Sequence, residues 1–84
     1  MTEREFKIAR AILTALHNLD GGQTSEPLLH AEVNLRVTPC ATKAEFDDAL
    51  RLCDSRGWCV GVQSKFSGRK WNLSDAGEAA RLEM

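Results

Sequence analysis

The sequence predicts a mainly α-helical protein with one small β-hairpin, an α+β fold. Four stretches place apolar residues at the three- and four-residue spacing of an amphipathic helix. Two short β-prone runs, residues 58–62 and 71–73, flank a polar segment that contains a glycine and predicts a turn. The chain has 84 residues, which allows one domain over residues 1–84 and leaves no room for two.

The first helix, α1, is predicted over residues 3–19. Thr2 and Glu5 have the spacing of a capping box, in which each side chain accepts a backbone N–H of the first turn. Asp20-Gly21-Gly22 ends the helix, because glycine suits the C-terminal cap. The apolar positions that should face the core recur at helical spacing: Phe6, Ala9, Leu13 and Leu16.

A second, shorter helix, α2, is predicted over residues 26–35, after a very short strand β1 at Gln23 and Thr24. Pro27 falls in the first turn, where its missing N–H costs nothing. The helix stops before Pro39, since the residue preceding a proline is pushed toward an extended conformation. Its predicted inward side chains are Leu28, Leu29, Val33 and Leu35.

The third helix, α3, is predicted over residues 43–56. Thr42 and Glu45 form a second capping box, and Gly57 supplies a residue that tolerates a left-handed conformation where the helix ends. The apolar residues at helical spacing are Phe46, Ala49, Leu50 and Cys53. We expect Cys53 to be a small buried hydrophobe on this face rather than a reactive thiol.

The hairpin, strands β2 and β3, is predicted over residues 58–73, and a last helix, α4, over residues 75–83. Ser74 is a good N-cap for α4, and Asp75 and Glu78 are favourable near its N-terminus. Its small alanine-rich face favours packing against α1, with packing in a dimer as the alternative. The sequence leaves open whether the protein is a monomer or a homodimer.

Two short helices joined by a tight connection, followed at once by a hairpin, resemble the winged helix-turn-helix superfamily. Trp71-Asn72-Leu73-Ser74-Asp75-Ala76-Gly77 is similar to the Leu-Thr-x-x-Gly phrase that ends the wing in bacterial regulators of the MarR and PadR kind. Asp54-Ser55-Arg56-Gly57-Trp58 is similar to the step between recognition helix and wing in those families. The resemblance covers about residues 5 to 80 and implies a small bacterial or phage-like DNA-binding protein, either a transcriptional regulator or an architectural factor, without identifying a subfamily.

Composition excludes several other classes of function. The N-terminus has no apolar segment typical of a signal peptide, and no apolar run is long enough to span a membrane, so we expect a cytoplasmic protein. The three cysteines form no Cys-x-x-Cys pair, and the two histidines lie at no metal-ligand spacing. No nucleotide-binding loop or nucleophile motif is present. The sequence therefore predicts no metal, no cofactor and no enzyme activity.

Charge is unevenly distributed along a chain whose formal net charge is −1. The hairpin is its only uniformly basic part, with Lys65, Arg69 and Lys70 and no acidic residue. Such a wing could bind the phosphates of duplex DNA, with a log–log salt slope of about −3 for three contacts. A solvated turn explains the same charges equally well. The predicted DNA-contacting residues are Thr42, Lys43, Arg51, Ser64, Lys65, Ser67, Arg69 and Lys70.

The outer face of α3 is less suited to DNA, because it carries adjacent aspartates. Asp47 and Asp48 should repel phosphates, and both are placed to pair with Arg51 along the helix. The alternative hypothesis is therefore a protein-interaction adaptor that uses this acidic face or an apolar wing surface. Phe66 at the wing tip could wedge between bases, although packing across the hairpin or into a partner chain is favoured. The residues of the alternative surface are Asp47, Asp48, Trp58 and Phe66.

Overall fold

The computed structural model describes residues 2–18, 24–64 and 68–83. Its helices and strands follow the predicted order, and the described helix ends lie within one residue of the predicted bounds. The hairpin strands are longer than the predicted β-prone runs, because β2 extends two residues further and β3 begins three residues earlier. The predicted end of α1 at residue 19 lies outside the described residues. The elements are α1 Glu3–Asn18, β1 Thr24–Ser25, α2 Glu26–Asn34, α3 Lys43–Ser55, β2 Cys59–Ser64, β3 Gly68–Leu73 and α4 Asp75–Glu83.

The strands form an antiparallel sheet in the order β1-β3-β2, with β3 in the centre. Trp71 of β3 lies opposite Thr24 on one side and Gly61 on the other. Because side chains alternate across a sheet, Arg69 and Trp71 share the face that turns toward the helices. Lys70 lies on the opposite face. This architecture, four helices and a three-stranded sheet with a hairpin after α3, is the winged-helix arrangement.

Helix α1 lies at the centre of the core and packs against α2, α3, α4 and β3. The contact with α4 confirms the prediction that the last helix folds back onto α1. His17 Nδ1 and Glu78 Oε2, 2.9 Å apart, join the ends of these two helices. The largest fully buried side chains are Ile8, Ile12 and Leu13 of α1, Leu29 and Val33 of α2, Phe46 and Cys53 of α3, and Cys59 of β2.

The buried face of α2 is narrower than predicted. Leu29 and Val33 are fully buried, whereas Leu28 is 50% exposed and Leu35 is 78% exposed. A helix of nine residues has room for two buried positions four residues apart, and Leu28 points about 100° away from Leu29. Leu35 is the residue that caps the end of α2, so the prediction that it faces inward is wrong. Phe6 of α1 is also partly exposed, at 39%.

Candidate functional site

The N-terminus of α3 is fixed by the predicted capping box. The Thr42 hydroxyl accepts the Glu45 N–H at 3.1 Å, and Glu45 Oε1 accepts the Thr42 N–H at 3.0 Å. These two bonds satisfy donors that a helix start otherwise leaves unpaired. The Thr42 hydroxyl, predicted to contact DNA, is therefore also the acceptor that begins the helix.

Arg4 of α1 ties this helix start to the rest of the protein. Its Nε donates to Glu45 Oε2 at 3.0 Å, and one terminal nitrogen donates to the carbonyl of Pro39 at 2.8 Å. The guanidinium and the Thr42 N–H lower the pKa of Glu45 to about 2. Glu45 therefore stays ionised and keeps both its cap and its ion pair at neutral pH.

His30 of α2 sets the position of α3 from the other side. Its ring stacks on Phe46 with centroids 4.6 Å apart, and its Nε2 lies 2.8 Å from the carbonyl oxygen of Ala41. A carbonyl only accepts, so Nε2 is the protonated ring nitrogen in this bond. Asn34 adds a further bond, because its side-chain oxygen accepts the Ala41 N–H at 2.9 Å. The connection between the two helices is therefore held at several points.

The Leu73-Ser74-x-x-Gly77 phrase closes the base of the wing against α4. Ser74 Oγ accepts the Gly77 N–H at 3.0 Å and donates to the carbonyl of Gly57 at 2.5 Å. The Ser74 N–H donates to the carbonyl of Trp58 at 3.1 Å. A Cβ on Gly77 would lie only 1.9 Å from that same carbonyl oxygen. Glycine is thus required where α4 crosses the start of the hairpin.

A cleft of about 250 Å³ separates α3 from the inward face of the wing. It brings together three of the predicted contact residues: Lys43 and Arg51 from α3, and Arg69 from β3. Leu50 and Trp71 supply its apolar wall. The same cleft also holds three carboxylates, Glu26, Asp47 and Asp54, so its formal charges balance.

The charges along α3 pair with one another in part as predicted, since Asp48 reaches Arg51 but Asp47 does not. Lys43 Nζ lies 3.4 Å from Asp47 Oδ2, and Arg51 lies 3.7 Å from Asp48 Oδ1. Asp47 therefore pairs with the residue four positions before it rather than with Arg51. All four side chains are at the surface, where such ion pairs are weak and exchange readily for other partners.

The two described cations of the wing point in opposite directions. Arg69 extends over the Trp71 ring, with its guanidinium carbon 5.6 Å from the ring centroid. Glycine at position 61 leaves room for this course, since a Cβ there would lie 2.8 Å from Arg69 Cδ and 3.0 Å from the Trp71 ring and would displace the arginine side chain. Lys70 lies opposite Val62 on the outer face. Among the described residues, no carboxylate forms an ion pair with Arg69 or Lys70.

The remaining predicted residues lie at the ends of the hairpin. Ser64 ends β2, opposite Gly68. Lys65, Ser67 and the wing-tip Phe66 lie outside the described residues. Trp58, proposed for the alternative surface, is partly buried against the core at the base of the wing, with Arg56 5.4 Å above its ring.

Sequence reasoning missed the residues that hold the cleft in shape. Trp71 Nε1 donates to Glu26 Oε1 at 3.1 Å, which joins β3 to the first turn of α2. The positioning role of Arg4 was likewise missed. Neither contact leaves a local signal, because the partners are 45 and 41 residues apart.

The described residues show few other chemical groups of functional interest. Burial raises the pKa of the Cys53 and Cys59 thiols to about 12, which disfavours the reactive thiolate. Cys40 is exposed. Within residues 2–18, 24–64 and 68–83, no group of three or more His, Cys, Asp or Glu could hold a metal ion. None of the helices in those ranges is long and apolar enough to cross a membrane.

Comparison with known proteins gives a match of fold. No protein-family model matches the chain, and no curated protein matches it. Among solved structures, the chain is similar to the crystal structure of SSV1 F-93, with a TM-score of 0.67 and 20% sequence identity. The similarity covers 89% of this chain and 79% of that one. At this identity the likeness supports the α+β winged-helix architecture and no more.

Proposed function

We propose that this protein is a small winged-helix regulator that binds duplex DNA through the N-terminal part of α3 and the wing. The observation that carries the proposal is the convergence of Lys43, Arg51 and Arg69, from two separate elements, on one cleft. A ridge formed by a helix, with a basic hairpin beside it, suits a DNA groove and its flanking phosphates.

The wing supplies most of the attraction in this proposal. Lys43 and Arg51 each have an aspartate beside them, whereas Arg69 and Lys70 have no ion-pair partner among the described residues. Because they lie on opposite faces of the hairpin, they would contact different phosphates rather than the same one. Asp47 could accept a cytosine amino group once Lys43 turns to a phosphate. The balanced charge of the cleft predicts weak binding with a modest salt dependence, because few phosphates are neutralised.

The experiment is a salt titration of binding to a fluorescent duplex of mixed sequence, followed by anisotropy. Low salt should give measurable binding, with a log–log slope of about −3. Arg69→Ala and Lys70→Ala should each reduce that slope by about 1, since each removes one phosphate contact. Arg56→Ala is the matched control, because Arg56 is an exposed cation outside both the cleft and the hairpin. Absence of binding at low salt, or equal slopes for all variants, would refute the proposal.

We also propose that the protein belongs with the small regulators of the MarR and PadR kind. The geometry of the phrase that ends the wing supports this assignment. Ser74 caps α4 and binds the base of the hairpin, and Gly77 leaves space for the Trp58 carbonyl. The serine and the glycine of the phrase therefore each have a structural role at their position.

A second candidate function is a protein-interaction adaptor that uses the outer face of α3. The ion pairs along α3 favour this function. Lys43 pairs with Asp47 and Arg51 pairs with Asp48, so this face has no excess positive charge. Reversing Asp47 and Asp48 to lysine should then abolish capture of one stoichiometric partner. For the DNA-binding proposal, the same reversal should instead strengthen binding to the duplex.

A further inference from the structure

A second concave surface lies between α1 and the segment that follows α2. This groove has a volume of about 580 Å³. One wall is formed by Lys7, Arg10 and Thr14 of α1, which are spaced along one stripe of the helix. The other wall is formed by Arg36 and Thr38. The groove shares no lining residue with the cleft between α3 and the wing.

All polar side chains that line this groove can donate hydrogen bonds, and three of them are cations. Among the described residues no carboxylate lines it, in contrast to the charge-balanced cleft beside α3. Two of the cations have a carboxylate nearby that does not line the groove. Glu3 Oε1 lies 3.8 Å from Lys7 Nζ, and Glu32 Oε2 lies 3.2 Å from Arg36 Nη1. Arg10 is exposed and forms no ion pair with a described residue. This groove is therefore more positive than the cleft beside α3 and shares no lining residue with it.

The charge and the lining of the groove favour an acidic polypeptide ligand. Ala11 and Val37 lie at its base and are each only 6% exposed. The aliphatic stems of Lys7, Arg10 and Arg36 therefore supply most of the apolar surface that a ligand can contact. The groove is open to solvent along its length rather than enclosed. An acidic polypeptide with apolar side chains can cover the floor and meet the cations at once. The apolar groups of a nucleic-acid backbone are confined to its sugars, whereas a peptide can place whole apolar side chains against the base of the groove.

We propose that this groove binds an acidic segment of a partner protein, whose carboxylates meet Arg10, Lys7 and Arg36 and whose apolar side chains cover Ala11 and Val37. Because the groove and the cleft have separate linings, the protein can hold this partner and a second ligand at the same time. The proposal does not depend on DNA binding. If the protein does bind DNA, the partner is brought to the DNA without competing for the wing.

The test is selection of random displayed peptides on the full-length protein, with synthesis of the enriched peptides. We expect peptides that combine Asp or Glu with apolar residues, and we expect Arg10→Glu to weaken their binding about tenfold or more. Arg56→Glu is the matched control, an exposed arginine outside the groove, and should change binding by less than about twofold. Arg10→Gln removes the charge without reversing it and is the milder change. Thermal melts followed by circular dichroism establish that each variant is folded.

Several results would overturn the proposal. These are failure to enrich any peptide, enrichment without acidic residues, and binding that Arg10→Glu leaves unchanged. Equal binding of N-acetylglutamate at the same concentration would identify a small-anion site instead. Displacement of the peptide by duplex DNA would identify a second DNA surface. Sedimentation equilibrium that shows self-association lost in Arg10→Glu would identify a second copy of this chain as the occupant.

Discussion

At the scale of single residues, two glycines and one arginine determine whether the cleft and the wing can form. Gly77 admits the Trp58 carbonyl, and Gly61 allows Arg69 and Trp71 to lie across β2. Arg4 joins α1 to the capping box of α3. Such residues are hard to identify from the sequence, because each acts on a partner that only the folded chain brings near.

Gly77→Ala tests the close approach of α4 to the base of the wing. In an ordinary helix this change stabilises by up to about 1 kcal/mol, because alanine has the higher helix propensity. Here we expect it to destabilise the protein by about 2–3 kcal/mol, since the new Cβ would overlap the Trp58 carbonyl oxygen. Urea unfolding measures the change.

The control is Ala76→Gly, at an exposed neighbouring position of the same helix. It should destabilise by about 1 kcal/mol or less, from propensity alone. A Gly77→Ala variant as stable as the wild type would contradict the packing described for this crossing.

The Arg4–Glu45 ion pair predicts a specific acid sensitivity. The pKa of Glu45 is lowered from its ordinary value of 4.5 to about 2. Its contribution to folding is therefore complete above about pH 4.5 and is lost as the pH falls toward 2. Glu45→Gln retains a side chain that can complete the capping box but has no charge to titrate.

Thermal melts at a series of pH values compare the two proteins. The wild type should lose more stability than Glu45→Gln across that window, while the two converge at its acid end. The pKa of Glu78 is also lowered, by Arg81 and His17, so the variant should retain part of the acid sensitivity. Parallel pH profiles would show that the Glu45 charge contributes nothing to folding.

At the scale of elements, capping signals and apolar spacing predicted the helices well. The capping box at Thr42 and the left-handed glycine at position 57, with φ of 74°, are local features that can be recognised in the sequence alone. The outward turn of Leu35 was not predictable in the same way, because it depends on where α2 ends. The split of Arg69 and Lys70 between two faces was missed because both lie in the turn that the sequence predicts, whereas β3 begins at Gly68 and consecutive strand residues point to opposite faces.

Ser74→Ala tests the joint between the wing and α4. It removes the N-cap of α4 and the bond to the Gly57 carbonyl together. We expect a loss of about 1–2 kcal/mol in the free energy of unfolding. Ser55→Ala is the control, since its hydroxyl bonds only to Leu52 of its own helix and is exposed. Its stability should stay within about 0.5 kcal/mol of the wild type. Equal losses in the two variants would argue against a special role for Ser74.

At the scale of the whole molecule, the protein presents two separate concave surfaces with different charge. The cleft between α3 and the wing combines three cations with three carboxylates, and the groove beside α1 has three cations and no described carboxylate in its lining. Three residues of the cleft, Lys43, Arg51 and Arg69, were predicted as DNA contacts, but the cleft itself was not predicted. The sequence also did not predict the groove, whose cations are divided between α1 and the residues after α2.

Chemical-shift mapping tests the central claim most directly, because it reports which surface a duplex contacts. A ¹⁵N-labelled sample would be titrated at low salt with an unlabelled duplex of mixed sequence. We predict that the largest shifts fall on the N-terminal part of α3 and on β3, with Arg69 and Lys43 among them. Shifts concentrated on Lys7, Arg10 and Arg36, or no shifts at all, would contradict the account of α3 and the wing as a DNA-binding surface.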